Sequence, residues 1–434
     1  KKIESINKSL LDGSKSDYEY INKIPESPYN ESNELEKIKT METNKKKDIS
    51  GVIYCNNNEH NKKLIKIFEM FSKSNPLHAD IFPEIRNMEI DIIKMASEMF
   101  KGDTSICGNV TSGGTESILL ACYTYREYCL KNYGITNPNI VAFTSVHPAF
   151  DKACHLFNIK LRKAKSFFGL KWLVDWNTIC VVGSAPTYSY GIMDPIDNIS
   201  DFCLRWNIPL HIDCCMGGFL LPFLENNEVS FEKKGITSIS ADTHKYGNCF
   251  KGSSVLLFRN KEIKLHQHFV KTDWEGGIYA TPTLLGSKSG ALIATTWASL
   301  LYMGKNNYNT IAKRIRHLLN KVKSHYKNNK NIEIIGNPDL NIIAFKSNVL
   351  PIYNIANEMK SWHLSILCNP PAFHLCITSS HDEESINRFI QDLDNAIDSV
   401  SKNPKNLDGS LAIYGSATKV ENSLFVDDVD RKSV

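Results

Sequence analysis

The sequence lacks the paired spacings on which metal sites and disulfide frameworks depend. None of the twelve cysteines lies three residues from another, and the thirteen histidines include no HExxH pair. Most cysteines lie in apolar runs, as Cys122 and Cys129 do, where free thiols behave as small buried hydrophobic groups. We therefore expect no metal site, and the cysteine usage indicates a reducing compartment.

Charge imbalance and long apolar runs are missing as well. The 51 basic and 47 acidic residues give a net charge of only +4 over 434 residues, which leaves no electrostatic footprint for a nucleic-acid partner. The longest uncharged stretches, Trp176–Met193 and Ser289–Gly304, fall short of the roughly 20 apolar residues of a membrane span. The N-terminal residues carry no apolar signal region. We expect a soluble, cytoplasmic protein without a transmembrane anchor.

The composition is that of a globular protein, with 42% hydrophobic and 23% charged residues. Residues 1–50 are rich in Lys, Glu, Asn and Ser, which predicts an N-terminal arm. A large domain is predicted over 51–305, and a smaller C-terminal α+β domain with a tail over 306–434. The change near residue 306 follows from the pattern, because a basic helix there precedes short strands and two further helices.

Apolar runs alternate with helical patterns through the large domain. The predicted helices cover 61–71, 87–100, 118–130 and 149–158, and the predicted strands cover 140–144, 179–183, 210–213, 236–241 and 255–258. Short apolar strands between helices are typical of an α/β fold whose mostly parallel sheet is covered by helices on both faces.

Lys245, in the run SISADTHKYG, is the strongest candidate for chemistry. It follows the end of an apolar strand and lies among Ala, Thr, His, Tyr and Gly. Burial would lower the pKa of such a lysine and make its amine a nucleophile that forms Schiff bases, as in pyridoxal phosphate enzymes. A lysine on a surface turn is the alternative that this segment leaves open.

Asp213 ends the strand of PLHIDCC, 32 residues before Lys245. Ligands of open α/β sheets bind at the carboxyl ends of strands, and a carboxylate there could hold a pyridine nitrogen protonated. A strand-end turn residue is the alternative.

The run TSGGTES (111–117) precedes a predicted helix, so Gly113, Gly114 and Thr115 could hold a phosphate at the helix N-terminus, or could form a simple turn. His147 follows another strand and could stack on a flat ring or pack in a loop.

The order of phosphate loop, histidine, aspartate and lysine resembles fold type I pyridoxal phosphate enzymes of the group II decarboxylase family. Within that family the chain is most similar to the sphingosine-1-phosphate lyases. The resemblance covers roughly 50–434 and is carried by NPLHADIFPEIR (75–86), TSGGTESILLA (111–121), HPAFDKA (147–153), PLHIDCCMGGF (209–219), GITSISADTHKYG (235–247), KGSS (251–254), TDWEGGIYATPTLLGSKSG (272–290) and AIYG (412–415).

The resemblance implies a pyridoxal 5′-phosphate cofactor and a homodimer with active sites at the subunit interface. It implies that Lys245 is the Schiff-base lysine, that Asp213 faces the pyridine nitrogen and that His147 stacks on the ring. The other residues of the implied cofactor site are His244, Gly113, Gly114 and Thr115, with Gly286 and Ser287 reaching the phosphate from the other subunit. The residues implied to bind substrate and to move protons are Tyr54, Asn75, His78 and Lys251, of which Asn75 only binds.

The implied activity is cleavage of the C2–C3 bond of a phosphorylated long-chain base to a long-chain aldehyde and phosphoethanolamine. Asn248-Cys249-Phe250 replaces the usual Tyr-Ala-Pro of the family, and Cys214 replaces an alanine. The resemblance therefore does not determine the shape of the site near Lys245. The alternatives are an amino-acid decarboxylase of the same fold, a binding protein without chemistry, and a peripheral membrane protein. The residue usage suggests a bacterial protein, and delivery into a host cell is a speculation that follows from it.

Overall fold

The computed structural model of the chain describes residues 48–225 and 227–403. Most of the predicted arm and the AIYG run at 412–415 therefore lie outside the described residues. The helices, in chain order, are α1 (Asn58–Phe71), α2 (Pro83–Met99), α3 (Gly114–Tyr133), α4 (Ala149–Leu156), α5 (Phe167–Leu173), α6 (Ile196–Trp206), α7 (Lys261–Leu265), α8 (Gly290–Tyr326), α9 (Ile352–Glu358) and α10 (Glu383–Lys402).

Fifteen strands accompany these helices in the described part of the chain. They are β1 (Asp48–Ile49), β2 (Cys107–Thr111), β3 (Asn139–Phe143), β4 (Lys160–Ala164), β5 (Thr178–Ser184), β6 (Leu210–Asp213), β7 (Ser238–Ala241), β8 (Ser254–Phe258), β9 (Phe269–Trp274), β10 (Gly277–Thr281), β11 (Glu333–Ile334), β12 (Ile342–Lys346), β13 (Trp362–His363), β14 (Ser365–Leu367) and β15 (Ala372–Cys376).

Seven strands form the main sheet in the order β2-β8-β7-β6-β5-β3-β4. The neighbours from β7 to β4 are parallel, whereas β8 runs antiparallel to both β7 and β2. Every residue of β3 and β5 is buried, as expected for strands that helices cover on both faces. The prediction of a mostly parallel α/β sheet is therefore confirmed.

Helix α3 is the central helix, and its sequence explains its position. Most of its side chains from Glu116 to Tyr125 are buried, so this part of the helix is enclosed on nearly all sides, and the helix packs against β5, β7 and β8. It ends at Gly134, whose φ of 66° is the left-handed conformation that glycine adopts without strain. The helix therefore starts at the TSGGTES run and directs its N-terminus at the end of the sheet.

The C-terminal part contains a four-stranded antiparallel sheet in the order β11-β12-β15-β14. Helix α8 leads into it and is interrupted at Gly304, where φ is 60° and ψ is 165°. The predicted domain boundary at 305/306 falls next to this break. Strand β1 pairs with β13, so the last residues of the predicted arm are docked on the C-terminal part.

The sequence analysis did not predict helices α5, α6 and α7, the first half of α8, or six of the strands, namely β1, β2, β4, β9, β10 and β13. Strand β4 reads KLRKA and lies at the edge of the sheet, where alternating exposed charges hide the apolar signal. Strands β9 and β10 form an exposed hairpin with almost no buried side chain. Strand β2 is only partly buried and begins with Cys-Gly.

Candidate active site

A cavity of about 320 Å³ opens where the strands of the main sheet end. Ser184 and Asp213 are the last residues of β5 and β6, and Asp242 directly follows β7. The N-terminus of α3 closes the other side. The lining consists of Ser112, Gly113, Gly114, Thr115, Glu116, Ile118, His147, Ser184, Pro186, Tyr188, Asp213, Cys215, Met216, Asp242, His244 and Lys245. Seven of the residues that the sequence marked for the cofactor thus meet in one cavity.

Lys245 is bound in an ion pair inside this cavity. Its Nζ lies 2.9 Å from Oδ2 of Asp242, a carboxylate that is only 2% exposed. Burial is the largest single influence and by itself would lower the pKa of Lys245, but Asp242, Cys215 and Tyr54 together raise the pKa above the ordinary value. The expectation that burial lowers this pKa is wrong for the chain alone. The ammonium holds the pKa of Asp242 low although burial opposes it.

Asp213 is fixed by the strand next to its own. Its Oδ1 accepts hydrogen bonds from the Cys215 N–H at 3.1 Å and from the Ser240 hydroxyl at 3.5 Å. The Ser240 hydroxyl also contacts Nε2 of His211, which lies two residues before Asp213 on β6. Burial lowers the pKa of His211 to about 4, so this ring is neutral. The carboxylate of Asp213 therefore has a defined orientation towards the cavity.

The loop before α3 depends on its two glycines. Gly113 has a φ of 155°, in the region that L side chains rarely adopt. A Cβ on Gly114 would lie 2.8 Å from both carboxylate oxygens of Asp242 and 2.9 Å from Sγ of Cys215. The backbone can therefore approach the cavity floor only because this residue has no side chain. Ser117, one helical turn on, donates to or accepts from Thr111 and anchors the loop to β2.

Three aromatic or imidazole rings border the cavity. His147 is exposed, and its Nδ1 accepts the Ala149 N–H at 3.1 Å. Tyr188 lies edge-on to His147 with 6.3 Å between ring centroids. His244 contacts the Ser253 carbonyl through Nδ1 at 2.6 Å, and burial lowers its pKa. The His147 ring is thus free to present a face to a flat ligand.

Tyr54 and Lys251 lie together at the edge of this site. Nζ of Lys251 lies 4.8 Å from the centroid of the Tyr54 ring, a cation–π contact. Burial and the nearby Lys245 charge lower the pKa of Lys251. Burial raises the pKa of Tyr54, so its hydroxyl stays protonated. The pair combines a neutral hydroxyl with an amine that gives up its proton more readily than a surface lysine does.

Like Tyr54 and Lys251, the other four predicted residues are not among the residues that line the cavity of the same subunit. Asn75 donates through Nδ2 to the Ser287 hydroxyl at 3.2 Å, and its Oδ1 accepts the Lys288 N–H. His78 is exposed and makes a backbone hydrogen bond to Asn75. The role of His78 beside Tyr54 and Lys251 stays a prediction. Gly286 belongs to the same peripheral segment as Ser287.

Sequence reasoning missed three residues that the fold brings to the site. Asp242 lies three residues before Lys245 in the quoted motif, and that spacing was a usable signal. Tyr188 follows β5 in the run PTYSY, where an aromatic residue after a buried strand was a weaker one. Glu116 could not be identified from the sequence, because one of its hydrogen-bond partners, the Leu284 N–H, is 168 residues away.

The polar groups that line the cavity fit pyridoxal phosphate. Oδ1 of Asp242 is buried and has no hydrogen-bond partner among the described residues, so the cavity retains an unused acceptor next to Lys245. The glycine loop at the N-terminus of α3 suits a phosphate, and Asp213 at a strand end suits a protonated ring nitrogen. A primary amine at Lys245 completes the set that a Schiff-base cofactor needs.

Comparison with known proteins agrees with this geometry. Residues 70–348 match the family described as the pyridoxal-dependent decarboxylase conserved domain. Sphingosine-1-phosphate lyase 1 of Rattus norvegicus is 38% identical over 97% of this chain and 76% of its own length. The structure of the Burkholderia pseudomallei sphingosine-1-phosphate lyase aligns with a TM-score of 0.86 at 32% identity, over 95% of this chain and 97% of that one.

A glutamate decarboxylase of Lactobacillus brevis shares the fold, with a TM-score of 0.76 at 16% identity over 90% of this chain and 97% of that one. That identity shows the fold alone, whereas the lyase matches extend over sequence and structure together. The chain thus belongs to the pyridoxal-dependent decarboxylase family, as a pyridoxal-phosphate-dependent lyase of the sphingosine-1-phosphate lyase group.

Proposed function

We propose that this protein cleaves the C2–C3 bond of sphingosine 1-phosphate or a related phosphorylated long-chain base. The products would be a long-chain aldehyde and phosphoethanolamine. The observation that carries the proposal is the match to named sphingosine-1-phosphate lyases over nearly the whole chain, in a protein that keeps Lys245 in its cavity. The structural neighbours that are decarboxylases share only the fold.

The cofactor, when bound, supplies a ring that withdraws electrons from the bond to be broken. The residues of this chain would hold it in defined ways. Lys245 would bind it covalently, and Asp213 would hold a proton at the ring nitrogen. The backbone amides at Gly113, Gly114 and Thr115 would bind its phosphate at the N-terminus of α3. His147 would cover one face of the ring.

Two proton transfers remain for the protein. One proton must leave the C3 hydroxyl as the C2–C3 bond breaks and the aldehyde carbonyl forms, and one must reach C2. Lys251 is the best candidate for the first transfer, because its pKa is lowered and a larger fraction of its amine is neutral near pH 7. Tyr54, with its pKa raised, is suited to donate a hydrogen bond rather than to accept a proton.

A homodimer is part of the proposal. Asn75, His78, Gly286 and Ser287 lie on the periphery of the chain and could complete the cavity of a second copy. Large apolar side chains are exposed on the same segment and on the β9–β10 hairpin, namely Phe269, Val270, Trp274, Ile278, Leu284 and Leu285. Burying them against a partner is favourable. The partner would then contribute Gly286 and Ser287 to this subunit's phosphate site.

The proposed location is the cytoplasm. All twelve cysteines lie among the described residues, and all twelve are free thiols, which suits a reducing compartment. Across residues 48–225 and 227–403, every helix is too short or too polar to cross a membrane. Delivery into a host cell remains a hypothesis, which localisation of tagged protein in infected cells would test.

The decisive experiment incubates the purified protein with sphingosine 1-phosphate, with and without added pyridoxal phosphate, and measures the aldehyde. We expect cofactor-dependent aldehyde release from the phosphorylated base and none from Lys245→Ala. Glutamate and aromatic amino acids serve as parallel substrates. Carbon dioxide release from them, without aldehyde from the phosphorylated base, would falsify the lyase proposal in favour of an amino-acid decarboxylase.

A further inference from the structure

Glu116 is a buried carboxylate whose two oxygens bind two different loops. The side chain is only 6% exposed. Its Oε2 accepts the Ser112 N–H at 2.6 Å, and its Oε1 accepts the Leu284 N–H at 3.1 Å. Within the described chain, no basic side chain forms an ion pair with it. A buried carboxylate without a cation is costly, so these two charge-assisted hydrogen bonds account for its presence.

The first loop is the phosphate loop. Glu116 is the third residue of α3, and Ser112 precedes the two glycines that face the cavity. A negative side chain so close to a phosphate weakens the attraction that the helix N-terminus offers. Direct phosphate binding therefore cannot be its role, whereas fixing the backbone of the loop can.

The second loop runs from β10 towards α8 and carries Gly286 and Ser287. Glu116 fixes this loop at Leu284, two residues before Gly286. Lys288 fixes its other end, since Asn75 accepts the Lys288 N–H at 3.3 Å. The Lys288 side chain is partly buried and pairs with Glu89 at 3.5 Å and with the Val110 carbonyl at 3.2 Å. Gly286 and Ser287 are thus presented between two fixed points.

We propose that Glu116 is a positioning residue that aligns two phosphate-binding elements at once. It aligns the glycine loop for the cofactor of its own subunit and the Gly286–Ser287 segment for the cofactor of the partner. This inference rests on the proposed function, in which a dimer shares its two sites. Removing Glu116 should therefore weaken cofactor binding at both sites of a dimer, including the site to which the altered subunit lends only Gly286 and Ser287.

The test measures cofactor affinity and not turnover, so its result does not depend on whether the protein cleaves the proposed substrate. Cofactor-free protein is titrated with pyridoxal phosphate, and the absorbance of the Lys245-linked cofactor is followed. Glu116→Ala should raise the dissociation constant by about tenfold or more, as expected for the loss of charge-assisted hydrogen bonds. Glu116→Gln keeps one acceptor and should fall between. Glu127→Ala, on the same helix but paired with Arg126, is the matched control and should bind as the unaltered protein does.

Mixed dimers separate the two roles, because Lys245→Ala silences one site. In the first mixture Glu116→Ala is paired with Lys245→Ala, and the remaining site uses the altered glycine loop. In the second mixture one subunit carries both changes, and the remaining site has an intact glycine loop but receives Gly286 and Ser287 from the altered subunit. We expect weaker binding in both mixtures.

Weakening in the first mixture alone would overturn the proposal, as would equal affinity of Glu116→Ala and Glu127→Ala. Thermal unfolding of each cofactor-free variant checks that it folds. If Glu116→Ala does not fold, the same two mixtures made with Glu116→Gln decide the matter by the same criterion.

Discussion

Asp194 offers a prediction whose size follows from the structure. Its carboxyl group is 7% exposed, and its Oδ2 accepts the Ser184 N–H at 2.7 Å. Burial, helped by the nearby Asp213 charge and opposed by the Ser184 hydrogen bond, raises its pKa from 3.8 to about 7. The folded protein therefore keeps a proton on Asp194 over a pH range in which the unfolded chain has lost it.

The sign of the stability effect follows from proton linkage. Below pH 3.8 both states carry the proton, and between 3.8 and about 7 only the folded state does, so the free energy of unfolding falls as pH rises. At about 1.4 kcal/mol per pH unit the full loss is about 4 kcal/mol. With about 2 cal/mol/K of unfolding entropy per residue and roughly 350 folded residues, this corresponds to about 5 °C in Tm.

Asp194→Asn removes the titration and leaves an acceptor for the Ser184 N–H. We expect the Tm of this variant, relative to the unaltered protein, to rise by about 5 °C between pH 4 and 7 and then to stay level. Calorimetry of the cofactor-free proteins at pH 4, 5, 6, 7 and 8 measures it. Asp201→Asn, an exposed change on helix α6, which begins two residues after Asp194, is the control and should show no such slope. A Tm difference for Asp194→Asn that does not vary with pH would refute the reasoning.

Two further predictions concern the cavity. Gly114→Ala should weaken cofactor binding at least tenfold, because the new Cβ would lie 2.8 Å from the Asp242 oxygens. Gly169→Ala is the control, since its new Cβ would have its nearest contact at 3.4 Å, and it should leave the affinity unchanged. Absorbance titration with the cofactor measures both affinities. Lys251→Arg should keep the charge over the Tyr54 ring but lower kcat about a hundredfold. It should also remove the rise of kcat with pH below 10.5, because an arginine does not release its proton in that range. An unchanged pH–rate profile would rule out Lys251 as the base.

The parts of the fold that could be predicted from the sequence are those whose signal is local. Strands β5 and β6 are short, apolar and bounded by polar residues, and helix α10 has a clear amphipathic pattern behind its Asp382 cap. Strand β4 and the β9–β10 hairpin carry no such signal, because their side chains are largely exposed. Their pairing is decided by neighbours that the sequence does not identify.

The same distinction applies to the site. Gly113, Asp213 and Lys245 belong to short runs whose composition already suggests chemistry, and the fold brings all three to one cavity. The pKa of Lys245 could not be predicted, because burial acts against the combined influence of Asp242, Cys215 and Tyr54, and only the geometry decides the direction of the shift. Glu116 was out of reach for a similar reason, since its second partner lies on a distant loop.

The reversed strand β8 has a consequence for how the site responds to stress. Because β8 runs back along β7, the chain leaves the sheet at Ala241, passes Lys245 and Lys251, and re-enters the sheet at Ser254. Both lysines therefore lie on one connection whose two ends belong to the paired strands β7 and β8, inside the edge strand β2. Separating the two ends requires breaking the ladder between β7 and β8, whose residues are all buried, and buried core strands belong to the most protected part of a fold. Local fraying at the edges of the protein leaves this connection intact, so the two lysines keep their spacing until the domain unfolds as a whole.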